Sequence, residues 1–276
     1  MKLPQNITEQ VKLALQEDIG SGDVTADLIA TDEHSEAQVI CRDNATIAGI
    51  AWFDEVFSQI DEALVIEWGC KDGDAVQENQ QLCTLSGNAR SILSGERAAL
   101  NFLQTLSATA TQTKQFVEAI KGTTTRILDT RKTIPNLRDA QKYAVTCGGG
   151  KNHRIGLYDM ILIKENHIMA AGSITKAVSQ AKALHPLLRI EVEAETLEEY
   201  REASKAGADI VMLDNFELDL MRKAVTENNG DIILEASGGV TLDTVLAIAE
   251  TGVDYISVGQ ITKDVNAVDL SMRFIA

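Results

Sequence analysis

An apolar run that ends in charged residues or glycine recurs six times from residue 126 onward, and no other feature restricts the fold of this chain as tightly. Ile127-Leu128 leads into Asp129-Thr130-Arg131-Lys132-Thr133, and Met160-Ile161-Leu162-Ile163 leads into Lys164-Glu165-Asn166-His167. Arg189-Ile190-Glu191-Val192-Glu193 follows, and then Ile210-Val211-Met212-Leu213 running into Asp214-Asn215. Ile232-Ile233-Leu234-Glu235-Ala236 precedes Ser237-Gly238-Gly239, and Tyr255-Ile256-Ser257-Val258 precedes Gly259-Gln260. Segments of helical length separate the runs, which is the pattern of βαβ units and a parallel sheet. Six strands rather than eight predict an open, incomplete α/β barrel. In such folds ligands bind at the carboxyl ends of the strands. A core does not need Arg, Lys, His, Glu and Asp there, whereas a site for an anionic ligand and a metal does.

Upstream the pattern differs. Residues 7–18 space Ile7, Val11 and Leu15 along one face of an amphipathic helix. Residues 36–87 read as short β segments, with an Asp72-Gly73 turn between Val65-Ile66-Glu67-Trp68 and Gln81-Leu82-Cys83-Thr84-Leu85. Gly73-Asp74-Ala75-Val76 is similar to lipoyl-type β domains, but no lysine sits at a hairpin tip, so the likeness is structural only. Residues 95–120 are helical in pattern, and the domain boundary is placed near residue 112, giving a first domain over 1–112 and a barrel over 113–265. The tail, residues 266–276, is expected to return to the first domain, with residues 269–274 helical.

The formal net charge of -16 argues against nucleic acid and anionic membranes as partners. It also sets apart the basic cluster between Arg126 and Arg154, which reads either as a solvated basic face or as an electropositive pocket. Cys41, Cys70, Cys83 and Cys147 form no C-x-x-C pair and have no zinc-ligand spacing. Reduced thiols in a cytoplasmic protein are the expectation. The amino-terminal segment is polar and acidic, unlike a signal peptide, and no apolar run reaches the length of a membrane span.

Several groups at the strand ends have chemistry to offer. Arg131 presents a planar fork for a carboxylate or phosphate, or an ion-pair partner for Asp129 or Asp139. Adjacent residues on an extended chain face opposite ways, so Arg131 and Lys132 share a ligand only if the strand has already turned. Asn152-His153-Arg154 follow Gly148-Gly149-Gly150, a combination suited to a clamping loop. Lys164 suits an anion, while Glu193 and Asp214 on neighbouring strands suit Mg²⁺ or inward salt bridges to Lys164 and Arg131. Ser237-Gly238-Gly239 before an expected helix start at Thr241-Leu242-Asp243, together with Gly259, offers backbone N–H groups for a phosphate or serves only as tight turns. Arg97 reads as a solvent-facing residue on a helix.

Taken together and in order, these stretches resemble the quinolinate phosphoribosyltransferase family (nicotinate-nucleotide pyrophosphorylases, carboxylating) over nearly the whole chain. The resemblance is carried by Glu17-Asp18-Ile19-Gly20-Ser21-Gly22-Asp23-Val24-Thr25, Gly95-Glu96-Arg97-Ala98-Ala99-Leu100-Asn101 and Asp129-Thr130-Arg131-Lys132-Thr133. It extends through residues 148–154, Ile163-Lys164-Glu165-Asn166-His167, Glu191-Val192-Glu193, Leu213-Asp214-Asn215, Ala236-Ser237-Gly238-Gly239 and residues 269–274. The resemblance implies an N-terminal α/β sandwich joined to an open α/β barrel. It implies a homodimer, or dimers assembled into a hexamer, with Arg97 donated across the interface. It places Arg97, Arg131, His153, Arg154 and Lys164 around quinolinate, with Glu193 and Asp214 on the Mg²⁺ of phosphoribosyl pyrophosphate. Lys132 is then catalytic beside the pyrophosphate, and Ser237, Gly238, Gly239 and Gly259 hold the 5-phosphate. Two positions depart from the family pattern: Asn136 stands in place of glycine after Pro135, and Ala108 in place of glycine after Ser107.

The implied reaction is a Mg²⁺-dependent pentosyl transfer giving nicotinate mononucleotide, pyrophosphate and CO₂. The nearest alternative is a relative of the same scaffold acting on another base, the molybdenum-operon paralogue or a nicotinate-specific enzyme. More distant alternatives are a metal-free phosphate-binding isomerase or lyase, and an inactive barrel acting as a binding module.

Overall fold

The computed structural model describes residues 2–228 and 230–275. In chain order the elements are α1 (Ile7–Ile19), β1 (His34–Cys41), β2 (Ala45–Thr46), α2 (Ile50–Ile60), β3 (Val65–Trp68), β4 (Ala75–Val76), β5 (Gln81–Asn88) and α3 (Ala89–Ala119). There follow β6 (Arg126–Leu128), α4 (Arg138–Cys147), β7 (Ile161–Ile163), α5 (Glu165–Ala171), α6 (Ile174–Leu184), β8 (Ile190–Ala194), α7 (Leu197–Ala206), β9 (Ile210–Asp214) and α8 (Leu218–Asn228). The chain finishes with β10 (Ile233–Ser237), α9 (Val245–Ala249), β11 (Tyr255–Ser257), α10 (Gln260–Lys263) and β12 (Leu270–Phe274). Two compact units result: Met1–Lys114 with Thr133–Gly149 and Ile261–Ala276, and Gln115–Lys132 with Gly150–Gln260.

In the first unit a four-stranded antiparallel sheet runs in the order β12-β1-β5-β3, beside a two-stranded β2-β4 ribbon. Two sequence expectations are corrected there. Residues 269–274 are not helical: β12 pairs with β1, Cys41 opposite Leu270 and Ala37 opposite Phe274. Leu270, Met272 and Phe274 alternate with Ser271 and Arg273, a period-two pattern too short to identify alone that becomes a strand because the edge of β1 supplies its hydrogen bonds. Likewise residues 36–87 are not wholly β, since α2 lies among them and buries Trp52, Phe53, Val56 and Phe57 against the unit's core. Those aromatic and β-branched residues favour strands intrinsically, but their spacing puts them on one helical face.

A cut near residue 112 assigns α4 to the barrel, yet the chain from Thr133 to Gly149 groups with the first unit. The fully buried Gln141 ties it there, accepting from the Ile134 N–H (2.8 Å) and donating to the Thr262 carbonyl (2.8 Å). Tyr143 donates to Asp72 (2.7 Å) and packs its ring at 5.6 Å from Trp52.

The loop before α4 explains one departure from the family pattern. Asn136 has φ +64°, the left-handed region for which glycine is the usual choice. Asparagine is among the non-glycine residues that best tolerate it, and the Asn136 carbonyl is held by the Gln10 side chain at 2.7 Å. Ala108 is buried within α3, where alanine is a better helix former than glycine.

In the second unit all strands are parallel and ordered β6-β11-β10-β9-β8-β7. The outer strands β6 and β7 pair with no further strand among the described residues, so the barrel is open. β8 and β9 are buried almost throughout, as expected of parallel strands covered on both faces. Helix starts are set locally. Ser173 caps α6 through the Lys176 N–H (3.2 Å), and Thr196 and Glu199 form a reciprocal capping box at α7.

A substitution series at Asn136 tests the loop. Asn136→Gly should unfold at the same denaturant concentration as the parent, and Asn136→Ala should lose about 1 kcal/mol in urea titrations, the cost of a left-handed residue lacking a polar side chain.

Candidate active site

Alternate residues on a strand face the same way, and in the second unit this period builds a cavity of about 400 Å³ at the carboxyl ends of the parallel strands. Leu162 reaches it from β7 and Lys164 from the residue just after that strand, Met212 and Asp214 from β9, Glu235 and Ser237 from β10, and Glu193 from β8. Glu193 opposes Met212, and Asp214 opposes Ser237, across the paired strands.

Arg131 and Lys132 both line this cavity. They can do so because β6 ends at Leu128 and the chain has turned by residue 130, where the Thr130 hydroxyl accepts from the Lys132 N–H (3.1 Å). The buried Asp129 fixes that turn against the loop carrying the next cations, accepting from the His153 N–H (2.9 Å) and the Asn152 side chain (2.6 Å). Arg154 donates to the Met160 carbonyl at 3.3 Å. Asp159 steadies the same loop by accepting from the N–H groups of Ile155 (2.8 Å) and Gly156 (2.9 Å). Burial and then the neighbouring Arg131 hold the Arg154 guanidinium below its ordinary value. Arg131 Nε is buried without a hydrogen-bond partner, a donor that a ligand carboxylate would satisfy.

The acidic side faces these cations. Lys164 pairs with Glu193, the inward salt bridge foreseen when no ligand occupies the site. Burial, and then repulsion from Glu193, raise the Asp214 carboxyl, while Lys164 and Lys132 oppose that rise. Two carboxylates this close on neighbouring parallel strands suit a divalent cation with oxygen ligands.

Beyond Ser237, Gly238 has φ +95°, and a Cβ there would collide with the Asn215 side chain and lie 3.0 Å from the Asn215 nitrogen. Gly239 has φ +58°, and a Cβ on Gly259 would sit 3.1 Å from Lys132 Cδ. The turn passes close to its neighbours and has no room for side chains at Gly238. The expected helix start at 241–243 is corrected. Thr241 to Thr244 form a turn closed by their hydroxyls, and α9 begins at Val245.

Arg131, Lys132, His153, Arg154, Lys164, Glu193, Asp214 and Ser237 are thus brought together around one cavity, whereas Gly238, Gly239 and Gly259 are not among its lining residues: Gly238 packs on Asn215 and Gly259 on Lys132. Arg97 belongs to the first unit, on α3, with its side chain 60% exposed and Glu96 at 3.8 Å.

Three acids with structural work to do were not identified as site residues from sequence. They are Asp129, Glu191 and Glu235, all essentially fully buried. His153 Nε2 lies 2.9 Å from Glu191 and 3.4 Å from Glu235. Burial first and Glu191 second push the Glu235 carboxyl well above its ordinary value. The available signal was a glutamate inside an otherwise apolar strand, since such a group has no place in a core unless it is paired.

An open α/β barrel with cations and carboxylates facing each other at the strand ends defines a class, that of enzymes handling an anionic, phosphorylated substrate. The comparisons narrow it. Residues 23–107 match the N-terminal domain model, and residues 109–273 the C-terminal domain model, of quinolinate phosphoribosyl transferase. The chain therefore belongs to the quinolinate phosphoribosyltransferase family. It is 45% identical to a probable nicotinate-nucleotide pyrophosphorylase [carboxylating] of Bacillus subtilis, over 93% of this chain and 89% of the relative. It is 42% identical to a quinolinate phosphoribosyltransferase [decarboxylating] of Nicotiana tabacum, over 97% of this chain and 82% of the relative. The nicotinate-nucleotide pyrophosphorylase structure from Francisella tularensis superposes with a TM-score of 0.95 at 47% identity, covering 99% of this chain and 98% of that one.

The raised Glu235 carboxyl makes a linkage prediction. The folded protein holds this proton more tightly than the unfolded chain. Its contribution to stability is therefore complete below the ordinary value of 4.5 and is lost as pH rises toward the folded value. Glu235→Gln removes that loss. Its stability relative to the parent, followed by urea unfolding, should climb with pH above 4.5 by up to about 1.4 kcal/mol per pH unit.

Proposed function

We propose that this protein transfers the phosphoribosyl group of phosphoribosyl pyrophosphate to quinolinate with loss of CO₂, giving nicotinate mononucleotide and pyrophosphate in NAD synthesis. The observation that carries the reading is the pairing of a basic side (Arg131, Arg154, Lys164) with two carboxylates (Glu193, Asp214) in one cavity. A pyridine bearing two carboxylates needs the first, and a diphosphate arriving with a metal needs the second. Names and sequence identities of the relatives support the same reaction.

The basic side binds the dicarboxylate and aims the ring nitrogen at the anomeric carbon, so that much of the catalysis is positioning. Arg131 offers a fork with a donor already buried and waiting. Lys164 and Glu193 satisfy each other before the ligands arrive, and each then has a substrate-side partner to take up. Mg²⁺, held by Glu193 and Asp214 together with substrate oxygens, would neutralise charge on the departing pyrophosphate. The Asp214 carboxyl, raised first by burial and then by repulsion from Glu193, fits that role, since a cation would relieve the second of these. Lys132 stands where it can meet the pyrophosphate, and the turn at Ser237, Gly238 and Gly239, with Gly259, presents backbone N–H groups to the 5-phosphate. The positive charge that develops on the ribose tolerates the nearby carboxylates. The carbanion left by CO₂ is stabilised by the now cationic ring, so no side-chain nucleophile is required.

A homodimer completes the reading, with the partner subunit's Arg97 reaching the quinolinate carboxylates; the exposure of Arg97 on its own unit supports this. We place the protein in the cytoplasm, on the chemistry of its four free cysteines. Among the described residues no helix is long and apolar enough to cross a membrane.

Turnover tests the reading. Quinolinate, phosphoribosyl pyrophosphate and Mg²⁺ should yield nicotinate mononucleotide and CO₂, chelation by EDTA should abolish the product, and nicotinate should not replace quinolinate. Equal activity on nicotinate would favour the base-swapped alternative instead. Arg131→Ala should cost about 2–5 kcal/mol in kcat/KM for quinolinate, the penalty for leaving a carboxylate unpaired in a desolvated site.

A further inference from the structure

One ion pair joins the basic and acidic sides of the cavity. Lys164, just after β7, pairs with Glu193 of the neighbouring strand β8. The Lys164 backbone is held in place: its N–H donates to His167 Nδ1 (3.0 Å), and its carbonyl accepts from the N–H groups of His167 (2.8 Å) and Ile168 (3.0 Å). Its side chain is 46% exposed, so a flexible stem can carry the ammonium to another partner while the chain stays where it is. Glu193 is more enclosed, with a side chain 15% exposed. Asp214 lies within electrostatic reach of both: Glu193 raises its carboxyl after burial has done so, and Lys164 opposes that rise. The ammonium therefore serves both carboxylates, on the side of the cavity that suits a divalent cation. Arg131 and Arg154 line the same cavity, and a dicarboxylate bound against them attracts the ammonium away from Glu193.

We propose that Lys164 is a tethered stand-in for the metal, and that its exchange between Glu193 and the substrate dicarboxylate couples the two ligands, each binding more tightly once the other has opened the ion pair. Quinolinate that takes up Lys164 leaves Glu193 and Asp214 open to the cation of a metal-bound diphosphate. That cation, arriving first, frees Lys164 for a carboxylate. Whichever ligand binds first must break the pair, the second need not, and the effect is reciprocal. A partly exposed ion pair is worth at most about a factor of five, also the low end for coupled sites, so roughly fivefold is the expected coupling. This inference rests on the quinolinate reading.

Calorimetric titration of the full-length protein tests it. Quinolinate is titrated into the parent without metal, and again with saturating Mg²⁺ and inorganic pyrophosphate, a mixture that cannot turn over. The Kd for quinolinate should be roughly fivefold lower in the second titration, and quinolinate should lower the Kd for the Mg²⁺–pyrophosphate mixture by the same factor. In Glu193→Gln the ion pair is gone, so the metal-free Kd for quinolinate should already match the lower value of the parent. Asp214→Asn removes a charge from the same side but leaves the pair, and its metal-free Kd should stay within about twofold of the parent value. Equal affinities in the two parent titrations overturn the proposal whatever the variants do. So does an Asp214→Asn variant that binds quinolinate as tightly as Glu193→Gln, since loss of negative charge alone then explains the gain. A parent that binds no quinolinate counts against the proposed reaction and takes this inference with it. Quinolinate bound without coupling counts against this inference alone.

Discussion

Burying a carboxylate is costly unless a partner is supplied, and the second unit of this protein buries three at its strand-end cavity: Asp129, Glu191 and Glu235, the last of which lines it. The site depends on how that cost is met. Asp129 is satisfied by the loop bearing His153 and Arg154. Glu191 lies 2.9 Å from the His153 ring without a hydrogen bond to either of its oxygens and is felt by Arg154, and Glu235 is driven toward its neutral form by burial and by Glu191. Two arginines can therefore stand close enough to repel one another because an acidic layer lies under them. The cavity gathers Arg131, Lys132, Arg154 and Lys164 in a chain whose formal net charge is -16.

The layering follows from the strand period. On β8 the deep residue is Glu191 and the mouth residue Glu193; on β10 they are Glu235 and Ser237. Glu191 is buried, and Glu193 two positions further along lines the cavity. The acidic pair Glu193 and Asp214 and the basic set are thus delivered by different strands to different sides of one space, which is what a reaction joining a dicarboxylate to a metal-bound diphosphate needs.

Much of this was legible in the sequence. The parallel strands each announced themselves as an apolar run closed by charge or glycine, and Arg131, Lys132, Lys164, Asp214 and Ser237, which follow such runs, line the cavity. The less legible parts were those decided by tertiary context. Residues 269–274 are a strand because β1 offers an edge, and Ile50–Ile60 is a helix despite residues that favour strands. Asn136 looked like a loop anomaly until its φ of +64° showed why asparagine can stand where glycine usually does. Glu235 sits inside an apolar run, where a lone glutamate was the one local sign of a buried acid. Arg97 reads as a surface residue both in the sequence and within its own unit, and only the family resemblance gives it a role.

The central claim is that this cavity binds quinolinate between Arg131, Arg154 and Lys164, and the most direct test is a crystal structure with quinolinate bound. Both ring carboxylates should be paired with those three side chains, Lys164 should be released from Glu193, and the ring nitrogen should face the side of Asp214 and Ser237. Quinolinate bound elsewhere, or in this cavity with Lys164 still on Glu193 and its carboxylates away from the arginines, would contradict it.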